Sequence, residues 1–390
     1  MKIAIYSGEI PSTTFIENLI EGVSKPHEVV LFGKLKQLPD YSSGAIKIYP
    51  THSNSLKAFV FTLARTLLLF FKYPKRFWVL KNHIESMPGW RTRFNWWARY
   101  VPVVLHLPDV FHLQWAKDLP NWIFLKDLFG CKFVLSLRGA HINYSPLVDD
   151  ALAEAYRIHF PKVDRFHAVS HAIALEAQKY GAAASKIKVI HSIVPESTLQ
   201  LFRLPPPIKH NTLHIISVGR HHWKKGYSTA LDACYLLKQE GVAFKYTIVA
   251  SGNIPEELVY KRKMYGLERE VVFEKGLAQN RLFKIMQASD VLLLPSLEEG
   301  IANVVLEAMA LGVPVISSDC GGMCEVVKDQ KSGYLIPVLN PIKIKDSILD
   351  LITSSLEDRQ KLTKMAYTLV RKNNNETVVV KQFDHLYSFN

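Results

Sequence analysis

Apolar positions along the chain fall into two alternating patterns, short continuous runs and stripes at helical spacing. "KIAIYSG" opens as a strand, and "TTFIENLIEGVS" follows with Phe15, Ile16, Leu19, Ile20 and Val23 on one helical face. "EVVLFG" reads as a second strand, and "DVFHLQW", "KFVLSLRG" and "RFHAVS" as three more, separated by helix-like stretches. Strands that alternate with helices build a parallel sheet covered on both faces. The alternation stops at "SIVPESTLQLFRLPPPIKHN", where three consecutive prolines and no periodicity predict a linker. It then restarts with the strands "TLHIISVGR", "AFKYTIVASG", "VVFEKG" and "DVLLLPS", interleaved with "YSTALDACYLLKQEG", "PEELVYKRKMYG" and "QNRLFKIMQAS" as helices. "NNNETVVVKQFDHLYSFN" predicts a last helix with Val378, Val379, Phe383 and Leu386 on one side. The expected architecture is therefore α/β: two doubly wound domains, 1–200 and 201–372, facing each other across a cleft. A C-terminal helix over 373–390 is placed to cross back to the first domain.

Within the second half, "EEGIANVVLEAMALGVPVISSDCGG" (298–322) carries a roughly helical apolar period at Ile301, Val304, Val305, Leu306, Met309 and Leu311. Gly312 ends that helix, and Val313 to Ser318 reads as a buried strand. Glu307 then falls inside the helix, while Glu299 and Gly300 lie in the loop that feeds it. A carboxylate inside an apolar helix needs a partner.

Composition narrows the class. The chain is 48% hydrophobic and 21% charged, as expected of a globular protein with room in its 390 residues for two cores. "MKIAIYSGEIPS" has too few apolar residues for a signal-peptide core, and no uncharged apolar stretch is long enough to span a membrane. Cys131, Cys234, Cys320 and Cys324 make neither a disulfide framework nor a metal-ligand set, which points to a reducing cytoplasm and no metal. Net charge is +13 and uneven: residues 47 to 99 hold ten Lys/Arg against one acid, Glu85.

That basic zone has two readings. "SLKAFVFTLARTLLLFFKYPKRFWVLKN" places Leu56, Phe59, Val60, Leu63, Leu67, Phe70 and Phe71 at helical spacing, and "GWRTRFNWWARYV" sets Trp90, Trp96 and Trp97 among arginines. Either both segments form core with solvated charges, or they form an interfacial surface for anionic lipid. No nucleic-acid-binding module is visible, so a nucleic-acid partner is not expected.

Four loops of the second half follow strands and carry useful residues. "SVGRHHWKKG" presents Gly219, Arg220 and Lys225, where glycine lets backbone approach a ligand and the two cations could hold a diphosphate. "FEKGLAQN", with Leu277, and "ASG" are further glycine turns. "PSLEEGIANVVLE" adds a helix N-terminus, whose free N–H groups and dipole favour phosphate. Glu307 could accept hydrogen bonds from ribose hydroxyls and Glu299 from sugar hydroxyls, with Asn303 adding a donor. None of the fifteen aspartates lies two residues from another, so the sequence has no Asp-x-Asp pair to hold a metal.

The segments "VGR…KKG", "DVLLLPSLEEG" and "EGIANVVLEAMALGVPVISSDCGG…EVV", with their E-x7-E pair, resemble the retaining glycosyltransferases of family 4, which have the GT-B fold of two Rossmann-like domains. "PSTTFI", "DVFHLQW", "RFHAVS" and "YGAAASKIKVI" resemble the N-terminal half of the same family. The resemblance implies an acceptor-binding first domain and a second domain that binds a nucleotide-diphosphate sugar. It puts Arg220 and Lys225 on the diphosphate, Glu299 on the transferred sugar and Glu307 on the ribose, with Gly219 and Leu277 lining the donor site. Gly300, Ile301, Ala302, Asn303 and Val304 would offer backbone N–H groups to sugar and phosphate. Glu299, Arg220 and Lys225 are the expected catalytic groups. No cofactor or metal is implied.

The chain departs from the family where Arg138-Gly139 replaces the frequent His-Gly, and an arginine cannot serve as general base. His112, Arg138 and His141 are the candidates for acceptor contact or proton handling, and His112, following the strand "DVF", reads equally as a satisfied core histidine. His191-Ser192 replaces a common Asn-Gly, and Cys324 a common proline. The expected protein is a glycosyltransferase of cell-envelope polysaccharide or glycolipid synthesis, acting on a glycan or lipid-linked acceptor. It is expected in the cytoplasm, peripherally attached to the inner face of the membrane. Alternatives are a nucleotide-sugar epimerase of the same fold and a non-catalytic nucleotide-sugar-binding partner.

Overall fold

The computed structural model describes the chain except for residues 42, 53–54, 209–211 and 390, and residue 55 by its backbone only. The chain divides into two compact units. The first comprises Met1–Val169, Ile173–Ile190 and Val380–Asn390; the second comprises Ser170–Ala172 and His191–Val379.

The first unit is built on eight parallel strands: β1 (Lys2–Tyr6), β2 (Gly8–Ile10), β3 (Glu28–Leu35), β4 (Ile46–Thr51), β5 (Val110–Leu113), β6 (Lys132–Leu137), β7 (Arg165–Ala168) and β8 (Ile187–Val189). β1 lies between β3 and β5, with Ile3 opposite both Val29 and Val110. Ile3, Ala4, Val29, Val30 and Phe111 are all fully buried, as strands covered on both faces require. The helix predicted from "TTFIENLIEGVS" spans Thr14–Ser24 and buries Ile16, Leu19, Ile20 and Val23.

The basic zone folds as three helices, Ser55–Lys72, Pro74–Glu85 and Trp90–Leu105. Its apolar stripe does not form core. Leu69 is buried, but Leu56, Phe59, Val60, Leu63, Leu67, Phe70 and Phe71 are exposed, Phe71 to 76%. The helix carries apolar residues on more of its circumference than its neighbours can cover. The tryptophans divide between the two readings. Trp96 stacks on Tyr100 at 5.1 Å and Trp97 donates to Thr66 Oγ1 at 2.8 Å, both half-buried, whereas Trp90 and Trp78 are exposed.

The second unit holds six parallel strands: β9 (Leu213–Arg220), β10 (Phe244–Ser251), β11 (Val271–Lys275), β12 (Val291–Leu294), β13 (Val315–Ser318) and β14 (Tyr334–Ile336). They are ordered β11-β10-β9-β12-β13-β14. The predicted linker is partly core. Glu196–Leu199 is a short helix, Val194 and Leu199 are buried, and the Val194 N–H donates to Asn374 O at 2.8 Å. Isolated apolar residues between prolines have no period to reveal such packing; the last part of that linker, 209–211, lies outside the described residues. The final helix, Glu376–Tyr387, buries Val379, Phe383, Leu386 and Tyr387, while Val378 is half-buried. From Val380 onward its residues belong to the first unit.

Candidate functional site

β9 and β12 are neighbours, yet the chain leaves β9 toward β10 on one side and β12 toward β13 on the other. A ligand crevice opens at such a reversal, beyond the carboxyl ends of the two strands. Beyond those ends here lie the loop after β9, residues 221–226, and the loop after β12, residues 295–302. Gly226 has φ +65°, and a Cβ there would fall 1.8 Å from Pro295 O. Glycine thus permits the contact between the loops, and the Leu297 N–H locks it by donating to Lys224 O at 2.7 Å.

That closure delivers Lys225 to Glu299. The ammonium lies 2.6 Å from Glu299 Oε1, and Ser296 Oγ donates to the same oxygen at 3.0 Å. Glu299 is only 7% exposed. Its backbone is braced from below: the Gly322 N–H donates to Gly300 O at 3.0 Å, and a Cβ on Gly321 (φ +54°) would lie 1.8 Å from Glu299 O. Arg220 ends β9 with an exposed side chain and has no ion-pair or hydrogen-bond partner among the described residues. Gly219 is the other close approach, since a Cβ there would meet Tyr227 Oη at 2.8 Å and Lys225 Cε at 2.9 Å.

The helix in this crevice runs Asn303–Leu311, so Ile301 and Ala302 belong to its lead-in and not to the helix itself. No side chain caps its N-terminus. Ala302 donates its N–H to Met323 Sδ at 3.4 Å, and Asn303 Oδ1 is buried without a partner among the described residues. The uncapped first turn leaves N–H groups without side-chain partners and carries the partial positive charge of the helix dipole. Ile301 and Leu277 are half-buried and pack on the unit's core, and Val304 is buried. Glu307, one turn into the helix, is half-buried, and Gln279 Nε2 donates to it at 3.4 Å. Burial pushes its carboxyl up to about 7, and the Gln279 bond only partly opposes that.

The three first-unit candidates do not converge on one solvent-facing point. His112 lies inside β5 and is fully buried. Its Nδ1 pairs with Tyr387 Oη at 2.8 Å and its Nε2 with Ser136 Oγ at 2.9 Å, and Ser136 Oγ in turn meets His167 Nδ1 at 2.8 Å. Desolvation holds His112 far below the usual histidine range, so it is a neutral core residue that ties down the final helix, with no surface left for an acceptor. Arg138 donates to Gln114 Oε1 at 2.9 Å and lies 4.6 Å over the Phe15 ring. Burial lowers its guanidinium to about 9, so it remains a cation at neutral pH. His141 is half-buried beside Trp115, its Nδ1 has no partner among the described residues, and burial lowers its pKa to about 4. A ring that is neutral at pH 7, with a free nitrogen, retains the capacity to accept a proton or hydrogen bond.

Sequence reasoning missed Ser296, Tyr227, Gly321 and Gly322 as parts of the site. Ser296 had a weak signal, as the second residue beyond a strand; Tyr227 had none, because a tyrosine opening an apolar helix reads as core.

Residues 202–369 match the family described as "Glycosyl transferases group 1". The amylovoran biosynthesis glycosyltransferase AmsK of Erwinia amylovora is 31% identical over 238 residues, 59% of this chain and 58% of AmsK. The chain thus spans little more than half the length of that relative. Among solved structures, Anabaena HepE in complex with UDP and glucose superposes with a TM-score of 0.69 at 17% identity, over 99% of this chain and 98% of HepE. Sucrose-phosphate synthase from Thermosynechococcus elongatus gives 0.72 at 17% identity, over 99% and 98%. The fold of the chain is the two-domain GT-B fold of glycosyltransferases.

Proposed function

We propose that the chain is a retaining glycosyltransferase that moves a sugar from a nucleotide-diphosphate donor to a glycan or lipid-linked acceptor in cell-envelope polysaccharide synthesis. The observation that carries this reading is the Lys225–Glu299 pair, held at the crevice between β9 and β12 beside an uncapped helix N-terminus. In the transfer, the anomeric carbon loses its bond to the diphosphate, whose oxygen keeps the electron pair. The acceptor hydroxyl bonds to that carbon and gives up its proton. Negative charge grows on the departing phosphate, and preorganised positive groups in a partly dry crevice stabilise it. Lys225, Arg220 and the first turn of Asn303–Leu311 are such groups, so the reaction needs no metal ion. Glu299 accepts from hydroxyls of the transferred sugar and Glu307 from the ribose. The AmsK match supports a place in polysaccharide biosynthesis, and the UDP and glucose in HepE support a nucleotide-sugar donor.

The same proposal places the enzyme in the cytoplasm on an anionic membrane surface. What supports it is the exposed apolar face of Ser55–Lys72, with Trp78 and Trp90 nearby in sequence, in a region holding ten cations and one acid. That acid, Glu85, is itself paired with Lys81 at 3.0 Å. Each cation near an acidic bilayer contributes about 1 kcal/mol, and apolar side chains add a salt-resistant part. No helix among the described residues is long and apolar enough to cross a membrane.

A thermal-shift panel of UDP, GDP, ADP and their sugars tests the donor, and radiolabelled transfer to membrane extracts tests the reaction with and without excess chelator. Stabilisation by a nucleotide sugar followed by chelator-resistant transfer is expected. Conversion of the donor with no acceptor present would make the protein an epimerase instead. Co-sedimentation with anionic vesicles tests the surface, and Lys72→Glu, Lys75→Glu and Arg76→Glu together should abolish it.

A further inference from the structure

The tyrosine at the start of the helix Tyr227–Gln239 has no place in the reading above, yet its setting is unusual. Tyr227 is 4% exposed, and its hydroxyl is buried without a hydrogen-bond partner among the described residues. A buried hydroxyl is expected to have one. The Gly219 Cβ position lies 2.8 Å from Tyr227 Oη and 2.9 Å from Lys225 Cε, so the hydroxyl and the stem of the lysine converge on one point. The far end of that lysine is committed to Glu299.

A diphosphate in the crevice competes with Glu299 for the Lys225 ammonium. Once Lys225 turns to the phosphates, Glu299 keeps only the Ser296 hydroxyl among the contacts to its Oε1. A carboxylate this deeply buried then loses its charged donor, while the phenol hydroxyl above Gly219 has no acceptor among the described residues. We propose that Tyr227 is a positioning residue: when ligand phosphates draw Lys225 away, its hydroxyl donates to Glu299 and keeps the carboxylate in place. The inference rests on the donor-site reading and adds a role that this reading does not require. Burial and the charge of Glu299 both raise the phenol above its ordinary range, so the group stays a donor throughout.

Tyr227→Phe keeps the ring and removes the hydroxyl, and its melting temperature should be no lower than the parent's. Binding is measured by calorimetry with whichever of UDP, GDP and ADP the parent holds most tightly. The variant should bind on the order of tenfold more weakly, the scale of a hydrogen bond to a charged group. In a Glu299→Gln background the same change should cost less than about twofold, because the charge that Tyr227 serves has gone. Equal affinity of parent and Tyr227→Phe would overturn the proposal, as would an undiminished tenfold loss in the Glu299→Gln background. A crystal structure with the bound nucleotide reads the contact directly. Oη within about 3.2 Å of a Glu299 carboxylate oxygen supports the role, and Oη still against the Lys225 stem refutes it. A parent that binds none of the three nucleotides overturns the donor-site reading itself.

Discussion

Lys225→Met tests whether the Lys225–Glu299 pair is a structural clasp as well as ligand machinery. The substitution keeps the alkyl stem that packs against Gly219 and removes only the ammonium 2.6 Å from Glu299 Oε1. Both partners are mostly buried, with side-chain exposures of 12% and 9%, so solvent screens the pair weakly. Removing one partner of a buried pair typically costs about 3–5 kcal/mol, because the other charge stays buried and unpaired. Ser296 still donates to the orphaned oxygen, which puts the expected loss toward the low end. The variant should therefore be destabilised by about 3 kcal/mol at pH 7. The assay is urea denaturation, with Glu299→Gln and the double variant completing a cycle. The double variant should recover most of the loss. A destabilisation under about 0.5 kcal/mol would show that the pair contributes no more than an exposed one.

Arg220→Ala should behave differently, since its guanidinium is exposed and unpartnered among the described residues: stability within about 0.5 kcal/mol of the parent, nucleoside diphosphate binding weaker by about 1.5–3 kcal/mol. Calorimetry and denaturation on one preparation separate the two effects. Glu307 is held near 7 by burial, so its ionised, acceptor form is lost as pH falls through that value. Nucleotide affinity should fall from pH 8 to pH 6 more steeply in the parent than in Glu307→Gln; parallel profiles would remove Glu307 from the site. The same sign applies to folding: a carboxyl raised above its unfolded value penalises the folded state as pH rises from about 4.5 through about 7, so Glu307→Gln should gain stability over the parent at pH 8. Gly321→Ala places a methyl 1.8 Å from Glu299 O at φ +54°, and should cost about 2 kcal/mol or more while weakening nucleotide binding. A fully stable, fully binding variant would show that this turn does not brace Glu299.

Much of the fold was legible in the chain because a parallel sheet writes its strands as continuous apolar runs. "TLHIISVGR" and "DVLLLPS" became β9 and β12 with ends shifted by a few residues. The glutamates, Arg220, Lys225 and the helix before Gly312 were also readable, since turn glycines and cations directly after strands are local signals. What the chain could not show was which groups meet. Lys225 and Glu299 are 74 residues apart, and only the strand order that sets β9 beside β12 brings them within 2.6 Å.

The same limit governed the readings that stayed open. His112 read equally as a ligand-facing or a core histidine, because its sequence neighbours say nothing about Tyr387, 275 residues away, which fills one of its ring nitrogens. The apolar stripe from Leu56 to Phe71 looked equally suited to core or surface, since periodicity reports that a helix has an apolar face and not what covers it. Local chemistry along the chain determined the elements, the loops and the residue types available at strand ends. Burial, the pairing of distant charges and the choice of which apolar face stays uncovered depend on contacts between segments far apart in sequence, and only the tertiary structure decides those.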